Sequence, residues 1–517
     1  MAFESLSSIQ LAEDGREAIF RIRGECRRKL EKHLFQRYPH REWGAFFRFG
    51  WRRTSWGVAI SYVEPILPEV GDLDRQTSLT TFCDQYSSRA LRIAANADNL
   101  AVGVIHSHPS GYGTFPSPLD DDMDRYFARE LSAYTENSPY ASIIFQRSED
   151  SGFTFSGRVY DRGQWLPVST LLTVGTTRLD RDRSELLPTP QYVAPTSLFE
   201  ESTTARLESI FGEQSAKRLR SSVVGVIGCS GTGSPAVEVL ARAGVGEVVV
   251  VDPQRLSPSN VERVHGSTYS QLRREPLPYK VEIMREMIAA IDPSIKVTAL
   301  VGNILHANVV DELLRCDLLV GTVDSNHGRV ALSDLAHHFL IPSLDVGIGM
   351  AGKNGKVTEQ IVELAKFSPE LACVFCRGRV DSVALAQELM TDEERKLRMV
   401  EANQASLRGD NPDQYWRFGQ QLHTVGYLTT AGGAMTAGYA EGWLTGAFEM
   451  PHASLQFDTG REKFGCVAPP VSRLPTCGCQ SHLGWGESAN PFKNISLPAH
   501  WSKRAILLQR GRIGEVA

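Results

Sequence analysis

Residues 223–234, Val-Val-Gly-Val-Ile-Gly-Cys-Ser-Gly-Thr-Gly-Ser, constrain the fold more than any other stretch of the chain. Val223 to Ile227 reads as a short β-branched strand, Gly228, Gly231 and Gly233 as a tight turn, and Ser234 as a helix start. A second β-branched run, Val248 to Val251, follows the helical segment, which is the pattern of a parallel βαβ unit. A turn of this kind exposes backbone N–H groups to a phosphate. Asp252, at the end of the second strand, is placed to bind a ribose hydroxyl. The stretch therefore predicts a mostly parallel α/β sheet with a nucleotide site. Glycine spacing alone would suit an NAD enzyme equally well, and Ser230 replaces the middle glycine of the dinucleotide fingerprint.

One such sheet does not use up the chain. At 517 residues it exceeds a single core, and two large domains are the simplest division. Three prolines in Leu186 to Pro195, without helical or strand periodicity, mark a linker over 184–197, leaving 1–183 and 198–517 as the two domains. Hydrophobic residues at 42% and charged residues at 22% argue against disorder and against a membrane protein. The net charge of -5 carries no nucleic-acid footprint, and the basic run Arg23 to Lys32 reads as a solvated helix face. Thr424 to Phe448 is apolar, but Glu441 and its many small residues fit a tightly packed helix rather than a membrane span. No secretory signal is visible, so a cytoplasmic location is expected. Nine cysteines in such a chain point to metal or catalysis rather than disulfides.

The first half carries its own chemistry. Leu100 to Pro109 is a buried-type strand ending in His106 and His108, which strand periodicity puts on one face. Ser117 then caps a helix whose first turn holds Asp120. Two imidazoles, one carboxylate and an open fourth position make a catalytic zinc site. Hydrolysis there also needs a base, and Glu42, just before the apolar run Trp43 to Phe47, is the candidate.

Glu42, His106-Ser-His108-Pro and Ser117-x-x-Asp120 together resemble the JAMM (MPN+, JAB) metalloprotease family over about the first 180 residues. The resemblance implies a cytidine-deaminase-like α/β sandwich. It also implies zinc on His106, His108 and Asp120, Glu42 as general acid/base, and a hydrogen bond from Ser117 to the tetrahedral oxyanion. The loop from His108 to Ser117 is about a residue longer than that family's pattern, which leaves Asp121 as an alternative ligand.

Downstream of the glycine turn, Asp252 to Ser259-Asn260-Val-Glu-Arg263 resembles the matching segment of the ThiF/MoeB/ubiquitin-activating superfamily, and Lys280 and Asp324 extend the match. A dehydrogenase has no reason to keep that Asn and Arg. The resemblance implies a Rossmann-like adenylation domain. In it Gly228, Gly231 and Gly233 cradle ATP, Asp252 takes the ribose, Asn260, Arg263 and Lys280 the phosphates, and Asp324 the magnesium ion. Arg206, six residues before Gly212, matches an arginine finger that reaches across a dimer interface, which implies a homodimer through this domain.

Cys373-x-x-Cys376 and Cys477-x-Cys479 make a split four-thiolate structural zinc site of the same family. The second half is one residue short, so His482 or Cys466 stands as an alternative ligand. Thioester-forming members keep a cysteine in the crossover region, whereas Arg377 to Gly465 has none here. Adenylation alone, an oxyester on a hydroxyl such as Thr391 or Ser406, and use of Cys466 stay open in that order. An oxyester requires a base that the sequence does not identify.

Together the resemblances imply a bifunctional enzyme using ATP, magnesium and zinc. One half cleaves at the C-terminal tail of a ubiquitin-like protein, and the other adenylates that protein's terminal glycine, with a separate conjugating enzyme as candidate acceptor. Fused genes of this kind resemble those of prokaryotic conjugation and antiviral operons. The alternative is processing and activation of a sulfur carrier for cofactor or cysteine biosynthesis.

Overall fold

The computed structural model describes residues 8–73, 81–96, 99–135, 138–147, 152–188, 202–416, 424–458, 465–468, 471–489, 497–498, 501 and 504–511. The first half runs β1 (Glu17–Arg23), α1 (Gly24–Leu34), β2 (Trp43–Thr54), β3 (Gly57–Ile66), α2 (Asp84–Asn96), β4 (Ala101–Ser107), α3 (Pro118–Tyr134), β5 (Tyr140–Arg147), β6 (Phe153–Asp161), β7 (Gln164–Val174) and β8 (Leu179–Arg183). Its sheet follows the order β1-β3-β2-β4-β5-β6-β7-β8. β1 pairs in parallel with both β3 and β7. The sheet therefore closes on itself, where the sequence reading expects a layered sandwich. β1 accounts for this: its backbone is bonded on both edges, and its apolar residues are buried on both faces. Phe20 and Ile22 pack inward with Phe47, Tyr62 and Phe155, and Leu30 and Leu34 of α1 cover that cluster. The opposite face of β2 and β4, with Phe46 and Val104, is covered by Tyr86 of α2 and by Phe127 and Leu131 of α3.

The second half runs α4 (Ala205–Phe211), α5 (Glu213–Ser221), β9 (Val223–Ile227), α6 (Gly233–Arg242), β10 (Glu247–Val251), α7 (Lys280–Ile291), β11 (Lys296–Val301), α8 (Ala307–Leu313), β12 (Leu318–Gly321), α9 (Asn326–His338), β13 (Ser343–Lys353) and β14 (Lys356–Phe367). There follow α10 (Ser382–Glu388), α11 (Asp392–Arg408), α12 (Gly426–Thr445), β15 (Ser454–Asp458), β16 (Gly465–Ala468), α13 (Gly478–Ser481) and β17 (Ile506–Gly511). β11, β10, β9, β12 and β13 form the expected parallel core. β14, β15 and β16 extend one edge antiparallel, and β17 the other. Strand order reverses between β9 and β12, and such a reversal opens a crevice at the strands' carboxyl ends. α12 packs on α6 and β13, and its small residues permit this: a Cβ on Gly433 would lie 2.2 Å from the Thr232 carbonyl oxygen. Among the described residues no helix is long and apolar enough to cross a membrane.

The two halves share one core. Ile19, Leu172 and Val174 of the first sheet and Trp56 of the turn between β2 and β3 belong to the same buried cluster as Val224, Val226 and Leu313 of the second half. Arg21, 1% exposed, leaves β1 to donate to the Leu314 and Cys316 carbonyls at 2.7 and 3.0 Å. The Trp56 indole donates to the Asp311 carbonyl, and Arg181 pairs with the buried Asp317. Of the linker expected over 184–197, Ser184 and Glu185 still bond the first sheet through Ser169 and Phe155, and 189–197 lie outside the described residues.

Candidate functional site

The first site is assembled by strand register. β2 and β4 run antiparallel with Trp43 opposite Ser107 and Gly44 opposite His106, which continues to bring Glu42 beside His108. Ser107, on the opposite face, donates to the Leu34 carbonyl at 2.6 Å, so its two neighbours turn the same way. The His106 and His108 Nε2 atoms are 3.3 Å apart, and they lie 3.2 and 3.6 Å from the Asp120 oxygens. Zinc bonds of about 2.0–2.2 Å put tetrahedral ligand atoms about 3.3–3.6 Å apart, so the donor set fits zinc. Glu42 lies 4.0 Å from His108, and all four side chains are buried. His108 is oriented through Nδ1, 2.8 Å from the Gly113 carbonyl oxygen, as metal-ligating imidazoles usually are.

Asp120 rather than Asp121 faces the histidines. Asp121 pairs with Arg158 at 2.5 Å, in a buried network with Asp124 and Tyr140 that anchors α3. Burial would raise the Asp120 carboxyl, but His106, His108 and Ser117 outweigh it and hold it well below the carboxylate range. Burial likewise works to lower His106, and Asp120 and Glu42 reverse that to a rise. Ser117 caps α3 in a capping box, and its hydroxyl donates to Asp120 Oδ2 at 2.7 Å, holding the carboxylate.

The second site is a cleft of about 420 Å³ at the reversal between β9 and β12, lined by Gly228, Gly231, Asp252, Asn260, Arg263, Lys280 and Asp324 among others. Gly228, with φ of +94°, makes the turn that a side chain would oppose. Gly233 does not line the cleft: a Cβ there would lie 1.8 Å from the Gly228 carbonyl oxygen, so its part is the close start of α6. Asp252 accepts from the Cys229 and Gln254 amides at 2.8 and 2.7 Å, and burial raises its carboxyl despite Lys280 nearby. Lys280, 2% exposed, donates to Gln254 Oε1 at 2.6 Å, and Asp324 stands exposed at the mouth. The cleft thus gathers a glycine turn, the buried Asp252, Asn260 and Lys280, and the exposed Asp324.

The ThiF family model matches residues 202–478, more than half of the 517 residues. The chain belongs to the ThiF family. The chain is 28% identical over 181 residues to the tRNA threonylcarbamoyladenosine dehydratase of Escherichia coli (strain K12), covering 35% of this chain and 64% of the relative. It is 29% identical over 166 residues to the SAMP-activating enzyme E1 of Haloferax volcanii, covering 32% and 57%. It is 31% identical over 154 residues to the probable adenylyltransferase/sulfurtransferase MoeZ of Mycobacterium tuberculosis (strain CDC 1551 / Oshkosh), covering 28% and 38%. The chain thus spans less than two thirds of these relatives' length. A crystal structure of Escherichia coli MccB with MccA-N7isoASN aligns at a TM-score of 0.42 and 14% identity, covering 54% of this chain and 75% of that one.

The four thiols of the ThiF domain converge as two cross-pairs. Cys373 and Cys477 sulfurs lie 3.6 Å apart, and Cys376 and Cys479 sulfurs 3.8 Å, with all four within 4.8 Å. Zinc–thiolate bonds of about 2.3 Å give tetrahedral edges of about 3.8 Å, so this set also fits zinc. Amides of Cys376 and Leu474 donate to the Cys373 and Cys376 sulfurs. The short Cys-x-Cys spacing needs no substitute ligand, because Cys477 is the N-cap of the one-turn α13 and Cys479 lies within it. His482 instead packs on Trp485, ring centroids 4.6 Å apart, and the Cys466 side chain lies outside the described residues.

Arg206 is exposed on α4 and does not line the ThiF cleft of its own chain. His327 does line it, unread in the sequence. Its Nδ1 is 2.8 Å from Glu388 of α10, whose carboxyl also accepts from the Asn326 and His327 amides. Burial opposes ionisation of Glu388, but these bonds, His327 first, bring it to about 2. An Asn-His at a helix start and a Glu 61 residues later carry no local pattern that would have joined them.

Proposed function

We propose that the chain is a bifunctional enzyme acting on the C-terminal tail of a ubiquitin-like protein, with residues 1–183 as a JAMM-type zinc isopeptidase and 198–517 as an ATP-dependent adenylating domain. The observation that carries this reading is the presence, in one body with a shared core, of a His106–His108–Asp120 donor set beside Glu42 and a ThiF cleft. A relative named SAMP-activating enzyme E1 supports the adenylating half. Zinc on the three ligands would supply Lewis acidity for hydrolysis. Glu42 takes a proton from the attacking water and returns it to the leaving amine, while Ser117 keeps Asp120 in place. In the cleft, attack of a glycine carboxylate on the α-phosphate brings two anions together; Lys280 and Arg263 offset that charge, Asn260 donates a hydrogen bond to the phosphates, and Asp324 would hold magnesium. Arg206, exposed on α4, would complete the partner chain's cleft in a homodimer.

The test incubates the protein with ATP, magnesium and ubiquitin-like proteins encoded beside its gene, and reads AMP and intact mass. A carboxyl adenylate is expected, and none with any neighbour sinks the adenylating claim. Glu42→Ala should abolish tail cleavage, and normal cleavage by that variant refutes the base. The sulfur-carrier reading keeps both chemistries and is favoured by the relative named adenylyltransferase/sulfurtransferase MoeZ. A thiocarboxylate product would select it.

A further inference from the structure

Resting on the adenylating reading, the geometry points to Thr430 as an acyl-accepting nucleophile, with His265 as its base and Glu238 as the orienting carboxylate. The Thr430 hydroxyl lies 3.0 Å from His265 Nε2, and His265 Nδ1 lies 2.8 Å from Glu238 Oε2. An ionised carboxylate only accepts, so Nδ1 carries the proton and Nε2 of the neutral ring is left to accept from the hydroxyl. That is the relation of hydroxyl, imidazole and carboxylate that activates a weak nucleophile.

Three features set this apart from an ordinary surface contact. First, α12 contains four threonines, and Thr429, Thr436 and Thr445 all donate to carbonyls three or four residues back along their own helix. A helical threonine does this by default, whereas the bond found for Thr430 runs to His265 instead. Second, the three residues come from separate elements, α6, the loop after Arg263 and α12. The ring is further placed by the His265 amide, which donates to Ser234 Oγ at 2.9 Å, and Glu238 is held from its other side by Arg242 at 2.8 Å. Third, the group follows the cleft's lining residues along the chain: Arg263 and Thr429 line it, two residues before His265 and one before Thr430, while Thr430, His265 and Glu238 stand outside that lining. None of the three is sealed, with His265 and Glu238 side chains 30% and 25% exposed, so a flexible substrate tail can reach them.

The step balances with what adenylation provides. The Thr430 oxygen attacks the glycyl carbonyl carbon of the acyl adenylate, and the hydroxyl proton passes to His265 Nε2. The bond from that carbon to the phosphate oxygen breaks, and its electron pair leaves with AMP. An oxyester on Thr430 remains. Glu238 offsets the charge on the imidazolium. This supplies both the nucleophile and the base for a chain with no cysteine between Arg377 and Gly465.

The probe is N-acetylglycylglycine p-nitrophenyl ester, an activated glycyl ester that bypasses ATP, added to the full-length chain. Nitrophenolate release and peptide mass mapping are expected to show one acyl group on the peptide containing Thr430. Thr430→Ser should keep labelling, while Thr430→Val and His265→Gln should lower its rate at least about 100-fold, the usual contribution of a general base. Glu238→Gln should also lower it. Melting temperature separates this from a bridging role, since loss of a bridge alone would lower stability without abolishing labelling of the remaining hydroxyl. Labelling elsewhere, or equal rates for wild type and Thr430→Val, overturns the proposal. Adenylate formation without Thr430 labelling refutes this step alone, and labelling without adenylate formation refutes only the adenylating reading.

Discussion

Replacing Gly50 with alanine tests how the halves are joined. Gly50 sits in β2, and a Cβ there would lie 2.2 Å from both the Gly484 oxygen and the Trp485 carbonyl carbon, and 2.5 Å from the Gly486 nitrogen. Ordinary contact starts at 3.4 Å, and all three atoms are backbone, so no side chain can rotate aside. The segment after the four-thiolate site must move by about an ångström. It would then lose the Gly50–Gly484 bond of 3.1 Å, the bridge of Trp51 to Gly486 and the Arg52–Glu487 ion pair. At about 0.5–1.5 kcal/mol per hydrogen bond and up to about 1 kcal/mol for the pair, the cost is about 1–4 kcal/mol. With about 2.1 cal/mol/K of unfolding entropy per residue, 517 residues give about 1.1 kcal/mol/K and a drop of about 1–4 °C. Calorimetry reads the drop, and limited chymotrypsin cleavage after Trp485 reads the undocking. An unchanged melting temperature with Trp485 still protected refutes the joint.

Three further outcomes are expected. Metal analysis should find two zinc ions per chain; His106→Ala should lose one and keep the fold, and Cys479→Ser should lose the other and lower the melting temperature. Lys280→Met should cut AMP formation by about 10²–10³, the usual loss when a charge-stabilising donor is removed, with the melting temperature retained. Burial pushes Lys366 down to about 8 from 10.5, while its ammonium donates to the Thr176 and Met450 carbonyls. Between pH 8 and 10.5 the unfolded chain therefore binds more protons than the folded one, and stability relative to Lys366→Met should rise with pH across that window in denaturant titrations.

What could be read from the sequence was local chemistry with a fixed period. The strand period put His106 and His108 on one face, and the β9-turn-α6 run placed the cleft. The choice between Asp120 and Asp121 could not be read, because it depends on Arg158, 37 residues from Asp121, claiming one carboxylate. The Cys477-x-Cys479 spacing looked one residue short because the single turn of α13 was not visible in so short a segment. The closed first sheet and the shared core were not legible either. The closure depends on β1 pairing with β7, Ala18 with Val168 150 residues on, and the joint on Arg21, Trp56 and Gly50 meeting partners more than 200 residues away, and no local pattern marks such partners. The base for Thr430 was missed for the same reason, since His265 lies 165 residues from it.

That both sites serve one tail is the core of the proposed function. Its most direct test follows a ubiquitin-like substrate carrying extra residues after its terminal glycine, incubated with the zinc-loaded protein, ATP and magnesium and read by intact mass. Wild type should trim it and convert the product to an adenylate, while Glu42→Ala should leave the extended form untouched yet still adenylate the mature form. Adenylate appearing from the extended substrate equally in both proteins, or an extended substrate that wild type never trims, would contradict the account.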